Sequence, residues 1–158
     1  GDTIQFISLK PFKIIVSGRI KHFISAFGEH VIGKEVEAAM QKAIEITGAR
    51  VNEFTVAPQI TPNTNELPYH EWFVEFEKYP SNMNQFISVL DQTLQEQNSY
   101  YFDLITGKVL QTLKVTKVRQ DGFRDYMKSI GKLGGQNKVQ RLSNDRTVAD
   151  KLKNYIEA

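Results

Sequence analysis

Residues 131–146 set Lys132, Lys138, Arg141 and Arg146 among Gly131, Gly134 and Gly135. A packed core wants neither bare cations nor glycines at that density. Glycine lets the backbone take positive φ and approach a ligand closely, while lysine supplies a mobile point charge that suits a phosphate or a developing oxyanion. The stretch therefore has the make-up of an anion-handling loop. The same composition also describes a solvated turn between two helices, the usual fate of an isolated charged segment. It is not a Walker-type phosphate loop, because Gly131-Lys132 is followed by Leu133 and the preceding glycine spacing is wrong.

Charge is spread unevenly around this loop. Residues 1–118 carry eleven Lys/Arg against thirteen Asp/Glu, and residues 119–158 carry nine against five, so the two parts stand at −2 and +4. Such a basic quarter would favour an anionic ligand, and it would equally serve solubility. The overall charge of +2 is too small to argue for nucleic acid.

With 158 residues, 41% of them hydrophobic and 24% charged, the chain can bury one full core as a single domain. It contains no cysteine, which excludes a disulfide framework, a cysteine nucleophile and a thiolate metal site. No apolar run reaches the length of a bilayer span, and the amino terminus lacks the pattern of a signal peptide, so a cytoplasmic location is expected.

The elements that must position the loop follow from periodicity. Residues 3–8 and 12–17 read as strands joined at Leu9-Lys10-Pro11, a hairpin. Residues 22–27 form a short extended piece. Val36, Ala39, Met40, Ala43 and Ile44 recur at helical spacing, with Gly48 placed to end that helix. Residues 50–57 read as extended, and residues 58–68 as a proline-bounded loop. Residues 70–78 place Trp72, Val74 and Phe76 on one face and Glu71, Glu75 and Glu77 on the other, which predicts a half-buried strand.

Pro80-Ser81-Asn82 supplies a stop and a cap before a helix marked by Phe86, Leu90 and Leu94. Residues 100–106 are ambiguous, and residues 109–118 read as a strand. Two terminal helices follow, one through Phe123, Tyr126, Met127 and Ile130, the other through Val148, Leu152, Tyr155 and Ile156. The glycine loop joins them. From residue 22 the order is strand, helix, strand, strand, helix, strand. That predicts an α+β fold with a ferredoxin-like split βαβ sheet, an added N-terminal β-hairpin and two C-terminal helices.

Other chemistry is thinly represented. His22, His30 and His70 lack metal-ligand spacing, so no metal site is predicted, and surface or hydrogen-bonded roles suit them. No Gly-x-Ser-x-Gly element raises a serine, and Ser143 reads as a helix cap. Trp72, Phe73, Phe76 and Tyr79 could offer a base-stacking platform, but Glu71, Glu75 and Glu77 on the same strand would repel a phosphate backbone, which leaves them as core.

Three blocks resemble a known family. Gly1-Asp2, the run Val16-Ser17-Gly18-Arg19-Ile20-Lys21-His22-Phe23-Ile24-Ser25-Ala26-Phe27-Gly28-Glu29, and residues 131–146 are similar to the carboxy-terminal part of the Gretchen-Hagen auxin-responsive family of acyl acid amido synthetases, in its bacterial form. That family lies within the adenylate-forming class, with acyl-CoA synthetases, luciferases and peptide-synthetase adenylation domains. The resemblance spans essentially the whole chain.

The resemblance implies roles. Asp2 would accept hydrogen bonds from both ribose hydroxyls of ATP. Arg19 and Lys132 would face the nucleotide, and Lys21 would sit at the hinge on which a small domain turns. Gly28, in Ala26-Phe27-Gly28-Glu29, would face the acceptor side in the second pose. Lys138 would reach the reacting carboxylate and α-phosphate during adenylation. Gln140 stands where that family has proline, which predicts a less rigid loop.

The same resemblance implies residues 1–21 as hairpin and hinge, residues 22–158 as a lid domain, and a separate N-terminal adenylation domain holding most of the ATP and Mg²⁺. The implied substrates are a small carboxylic acid and an amine or amino acid, with no nucleic acid and no membrane, and these residues alone are expected not to turn over. A stand-alone ferredoxin-like ligand-binding or regulatory module and a nucleic-acid binder are the competing classes. Neither accounts for the glycine-lysine block.

Overall fold

The computed structural model describes residues 2–19, 22–63, 65–134 and 137–158, apart from the side chains of residues 2, 3 and 16–19. The opening hairpin pairs β1 (Asp2–Leu9) with β2 (Phe12–Arg19), running from Leu9↔Phe12 at the turn to Asp2↔Arg19 at the open end. A second, two-residue hairpin pairs β3 (Phe23–Ile24) with β4 (Val31–Ile32).

Helix α1 (Gly33–Thr47) begins where the Ile32 amide donates to the Glu35 carboxylate at 2.9 Å. Val36, Ala39, Met40 and Ala43 form its buried stripe, and it ends at Gly48, whose amide donates to the Ile44 carbonyl at 2.9 Å. Strands β5 (Arg50–Gln59) and β6 (Tyr69–Lys78) follow. The Asn82 side chain accepts the Gln85 amide to start α2 (Met83–Gln97). Asn98 ends α2 and accepts the Tyr101 amide to start α3 (Ser99–Thr106). Then come β7 (Lys114–Val118), α4 (Gly122–Ser129), α5 (Thr147–Leu152) and a 3-10 turn, Lys153–Tyr155. No helix among the described residues is long and apolar enough to cross a membrane.

The central sheet has the order β5-β6-β7 and is covered on both faces. Phe54, Val56, Trp72, Val74 and Phe76 pack against α1, α2 and α3. Because side chains alternate along a strand, Ala57, Phe73 and Val118 point the other way, into a smaller core with Phe123, Tyr126, Met127, Ala149 and Leu152.

The α+β class, the opening hairpin and the two terminal helices are as expected, but the ferredoxin-like split sheet is not formed. Its first strand, expected over residues 22–27, shrinks to Phe23–Ile24 and pairs outside the sheet. The crossover through α2 and α3 brings β7 back directly beside β6, in parallel, instead of one strand away. The other edge, along β5, is taken by the segment around Leu142: the Val56 amide donates to the Arg141 carbonyl at 2.9 Å and the Ser143 amide to the Val56 carbonyl at 3.0 Å.

Smaller expectations also change. Residues 99–106 are helical, and the last strand starts at Lys114 rather than at residue 109. Ser143 caps no helix; its hydroxyl accepts the Asp145 amide at 3.3 Å. Strand β6 is buried on both faces, with Glu71 and Glu75 inside rather than in solvent.

Candidate functional site

Those two glutamates explain how the basic segment is held. The Glu71 carboxylate accepts the Thr116 hydroxyl at 2.6 Å and the Arg146 guanidinium at 2.7 Å, and Arg146 also donates to the Pro58 carbonyl at 3.1 Å. The Glu75 carboxylate accepts the Asp121 and Phe123 amides at 3.0 and 3.1 Å. It therefore caps α4 from the sheet, and its negative charge lies at the positive end of that helix. Asp121, the residue at the cap position, makes no side-chain cap of its own. Glu75→Ala would leave two amide donors without their partner and is expected to destabilise the domain by about 1–3 kcal/mol. Urea unfolding measures that loss, and hydrogen exchange should show α4 opening first.

Arg141 is spent in the same way. Its guanidinium donates to Glu37 on α1 at 2.5 Å, to Glu53 on β5 and to the Phe54 carbonyl, and lies 4.6 Å from the Phe54 ring centre. Gln140 is tied too, its carbonyl accepting the Thr55 hydroxyl at 2.6 Å and its amide donating to the Leu142 carbonyl at 2.7 Å. Gln140, expected to leave the loop less rigid, is instead fastened by these hydrogen bonds.

The two lysines are different. Lys132 and Lys138 are exposed, and neither has an ion-pair partner among the described residues. Both line one cavity of about 290 Å³ with Arg124, Asn137, Phe123 and Met127, and the carboxylates Glu53 and Glu75, already engaged by Arg141 and by the α4 amides, border it too. Gly131, just before Lys132, and Gly134, two residues after it, take φ of +68° and +86°, a region open to glycine at little cost. The segment is thus firmly anchored by arginines at its carboxyl side while its lysines are left for something else. Ammonium groups at such a cavity suit phosphate or carboxylate oxygens.

Gly28 has φ of +91°, a conformation that favours glycine. It belongs to a second loop, whose Ser25 amide donates to the Asn144 side chain at 2.8 Å, just beyond the lysine turn. Asp2 and Arg19 face each other in the backbone register at the open end of the first hairpin. Their side chains, and Lys21 as a whole, lie outside the described residues. The structure brings Lys132 and Lys138 together, while Gly28 sits on the separate Ser25 loop.

Sequence reasoning missed the Glu29–His70 pair. Glu29 and His70 are fully buried 2.8 Å apart, and Glu29 also accepts the Phe27 amide at 2.8 Å. Burial pushes the Glu29 carboxyl up, but the His70 hydrogen bond and charge, with nearby amides, outweigh it and hold the group below the usual carboxylate range. A His and a Glu 41 residues apart give no local sequence signal.

Residues 34–147 match the family model of the GH3 family C-terminal domain, and the chain belongs to that family. A solved structure of GH3.15 acyl acid amido synthetase is similar over all of this chain, with a TM-score of 0.77 at 16% identity. So is AtGH3.15 acyl acid amido synthetase in complex with 2,4-DB, with a TM-score of 0.74 at 15% identity. The chain spans only 31% and 30% of those two proteins. No curated protein matches its sequence.

Proposed function

We propose that this chain is the carboxy-terminal lid of an ATP-dependent acyl acid amido synthetase. In this reading a carboxylate oxygen of the acid attacks the α-phosphorus of ATP and displaces pyrophosphate. An amine, such as that of an amino acid, then attacks the acyl carbon, loses a proton and displaces AMP. Lys138 supplies positive charge where the in-line phosphorus and the carboxylate meet, with Lys132 beside it, a role that needs a preorganised cation in a water-poor cleft.

Asp2 and Arg19 serve the nucleotide, Lys21 the pivot, and Gly28 the amine-facing loop in the second pose. Residues 1–21 act as hairpin and hinge, and residues 22–158 as the lid.

The observation that carries this reading is the division of labour among the cations: Arg141 and Arg146 are consumed in anchoring, while Lys132 and Lys138 line one cavity without an ion-pair partner among the described residues. Family membership supports it. So does the opening hairpin, whose Ile4, Phe6, Leu9, Phe12 and Ile14 are exposed, Phe12 by 77%. A bare two-stranded hairpin of that kind is poorly stable in water and suits burial against a preceding lobe.

The donors here fit phosphate and carboxylate oxygens but not magnesium, since no group of three His, Cys, Asp or Glu among the described residues could hold a metal ion. The Mg²⁺ that accompanies ATP is assigned to the preceding lobe, and a cytoplasmic location belongs to the same reading.

The test is acid-dependent exchange of labelled pyrophosphate into ATP by the longer protein that contains this chain. Exchange that appears only with a carboxylic acid supports the reading. No exchange with any of a broad panel of acids would overturn it in favour of a stand-alone ligand-binding module.

A further inference from the structure

We propose that the buried Glu29–His70 pair is a latch that sets the amine-facing loop, so that both residues are positioning residues for acyl transfer and not for adenylation. The proposal rests on the assignment of the Gly28 loop to the acceptor side. Its physical basis is the shape of that loop. Gly28 and His30 are exposed, and both have left-handed backbones with φ of +91° and +47°, while Glu29 between them is fully buried.

The chain therefore bends outward on either side of one inward-pointing carboxylate. For a residue other than glycine, such as His30, that conformation is strained and persists only where the surroundings hold it. Here they do. One Glu29 oxygen takes the Phe27 amide, and the other takes His70 Nε2 at 2.8 Å. His70 stands near the start of β6, with its ring 5.1 Å from that of Tyr101. The far end of the loop is tied by the Ser25 amide to Asn144.

A buried carboxylate–imidazole pair is a poor way to stabilise a core, since apolar residues of similar size would serve as well or better. The pair is also incompletely satisfied, because His70 Nδ1 is buried without a partner among the described residues. Core packing does not call for such a pair. A loop that must present its tip at a fixed height does, because Glu29 cannot leave its socket without breaking both hydrogen bonds. The tip it fixes is Gly28, where an added Cβ would meet nothing within 4 Å, so the space in front of it is open to a ligand.

The experiment uses the full-length parent enzyme and measures its two half-reactions separately. For His70→Ala, amide formation should fall about tenfold to a hundredfold with a raised KM for the amine. Acid-dependent pyrophosphate exchange should stay within about twofold, the change a merely structural role would not produce. His70→Gln, whose side-chain amide can still donate to Glu29, should recover most of the loss. Should His70→Ala not fold, His70→Leu fills the same core volume without a donor to Glu29 and must give the same split.

Equal losses in both half-reactions, or unchanged amide formation, would overturn the latch while leaving the adenylation reading standing. A wild-type parent that shows no exchange at all overturns the adenylation reading and the latch with it.

Discussion

Alanine at Arg146 is expected to lower the unfolding free energy of this domain by about 3–5 kcal/mol, the loss typical when one partner of a buried ion pair is removed. Arg146 and Glu71 are 17% and 11% exposed, so solvent cannot replace the guanidinium. Without it the Glu71 carboxylate keeps only the Thr116 hydroxyl, and the Pro58 carbonyl loses its donor. The second core also loosens, because the segment entering α5 is no longer pinned to β6. Urea unfolding of Arg146→Ala, Glu71→Gln and the double variant measures the effect, and the double variant should be less destabilised than the sum of the singles. A loss below about 1 kcal/mol, as for exposed pairs, would contradict the account.

Lys138→Ala should have the opposite profile: no change in unfolding, and a fall of about a hundredfold to a thousandfold in acid-dependent pyrophosphate exchange by the parent enzyme. That range is what removal of one preorganised electrostatic contact to a transition state typically costs. The stability half follows from the structure, since Lys138 is exposed and holds no partner among the described residues. The kinetic half follows from the proposed function. Lys132→Ala is expected to show a smaller loss, because its proposed role is to attract the nucleotide rather than to meet the reacting atoms. Undiminished exchange in Lys138→Ala would remove that lysine from the mechanism.

Features encoded by near neighbours were legible in the sequence. The α1 stripe, Gly48 at its end and the Asn82 cap all follow from residues within a turn or two of each other. The glycine-lysine turn was legible for the same reason. What the chain hides is long-range. Period-2 alternation puts Glu71 and Glu75 in solvent, and only partners 23 to 75 residues away turn them inward.

The arginines of the loop look like its lysines until Glu37 and Glu53, 104 and 88 residues distant, claim Arg141. The ferredoxin-like sheet was lost likewise, because residues 22–27 carry a strand-like composition but give their length to the loop that buries Glu29. Family resemblance supplied roles for Asp2, Arg19, Lys21, Gly28, Lys132 and Lys138. It gave no hint of the division between anchoring and free cations.

The central claim is that Lys138 meets the phosphates of a bound nucleotide. An acyl-phosphate derivative of ATP transfers its acyl group to lysines beside the phosphates, and peptide mass spectrometry of the labelled parent enzyme reads the modified positions. The account predicts labelling at Lys138 that ATP plus the cognate acid suppresses. Lysines of the preceding lobe labelled and protected, with Lys138 unlabelled or labelled identically in the presence and absence of ATP, would contradict it.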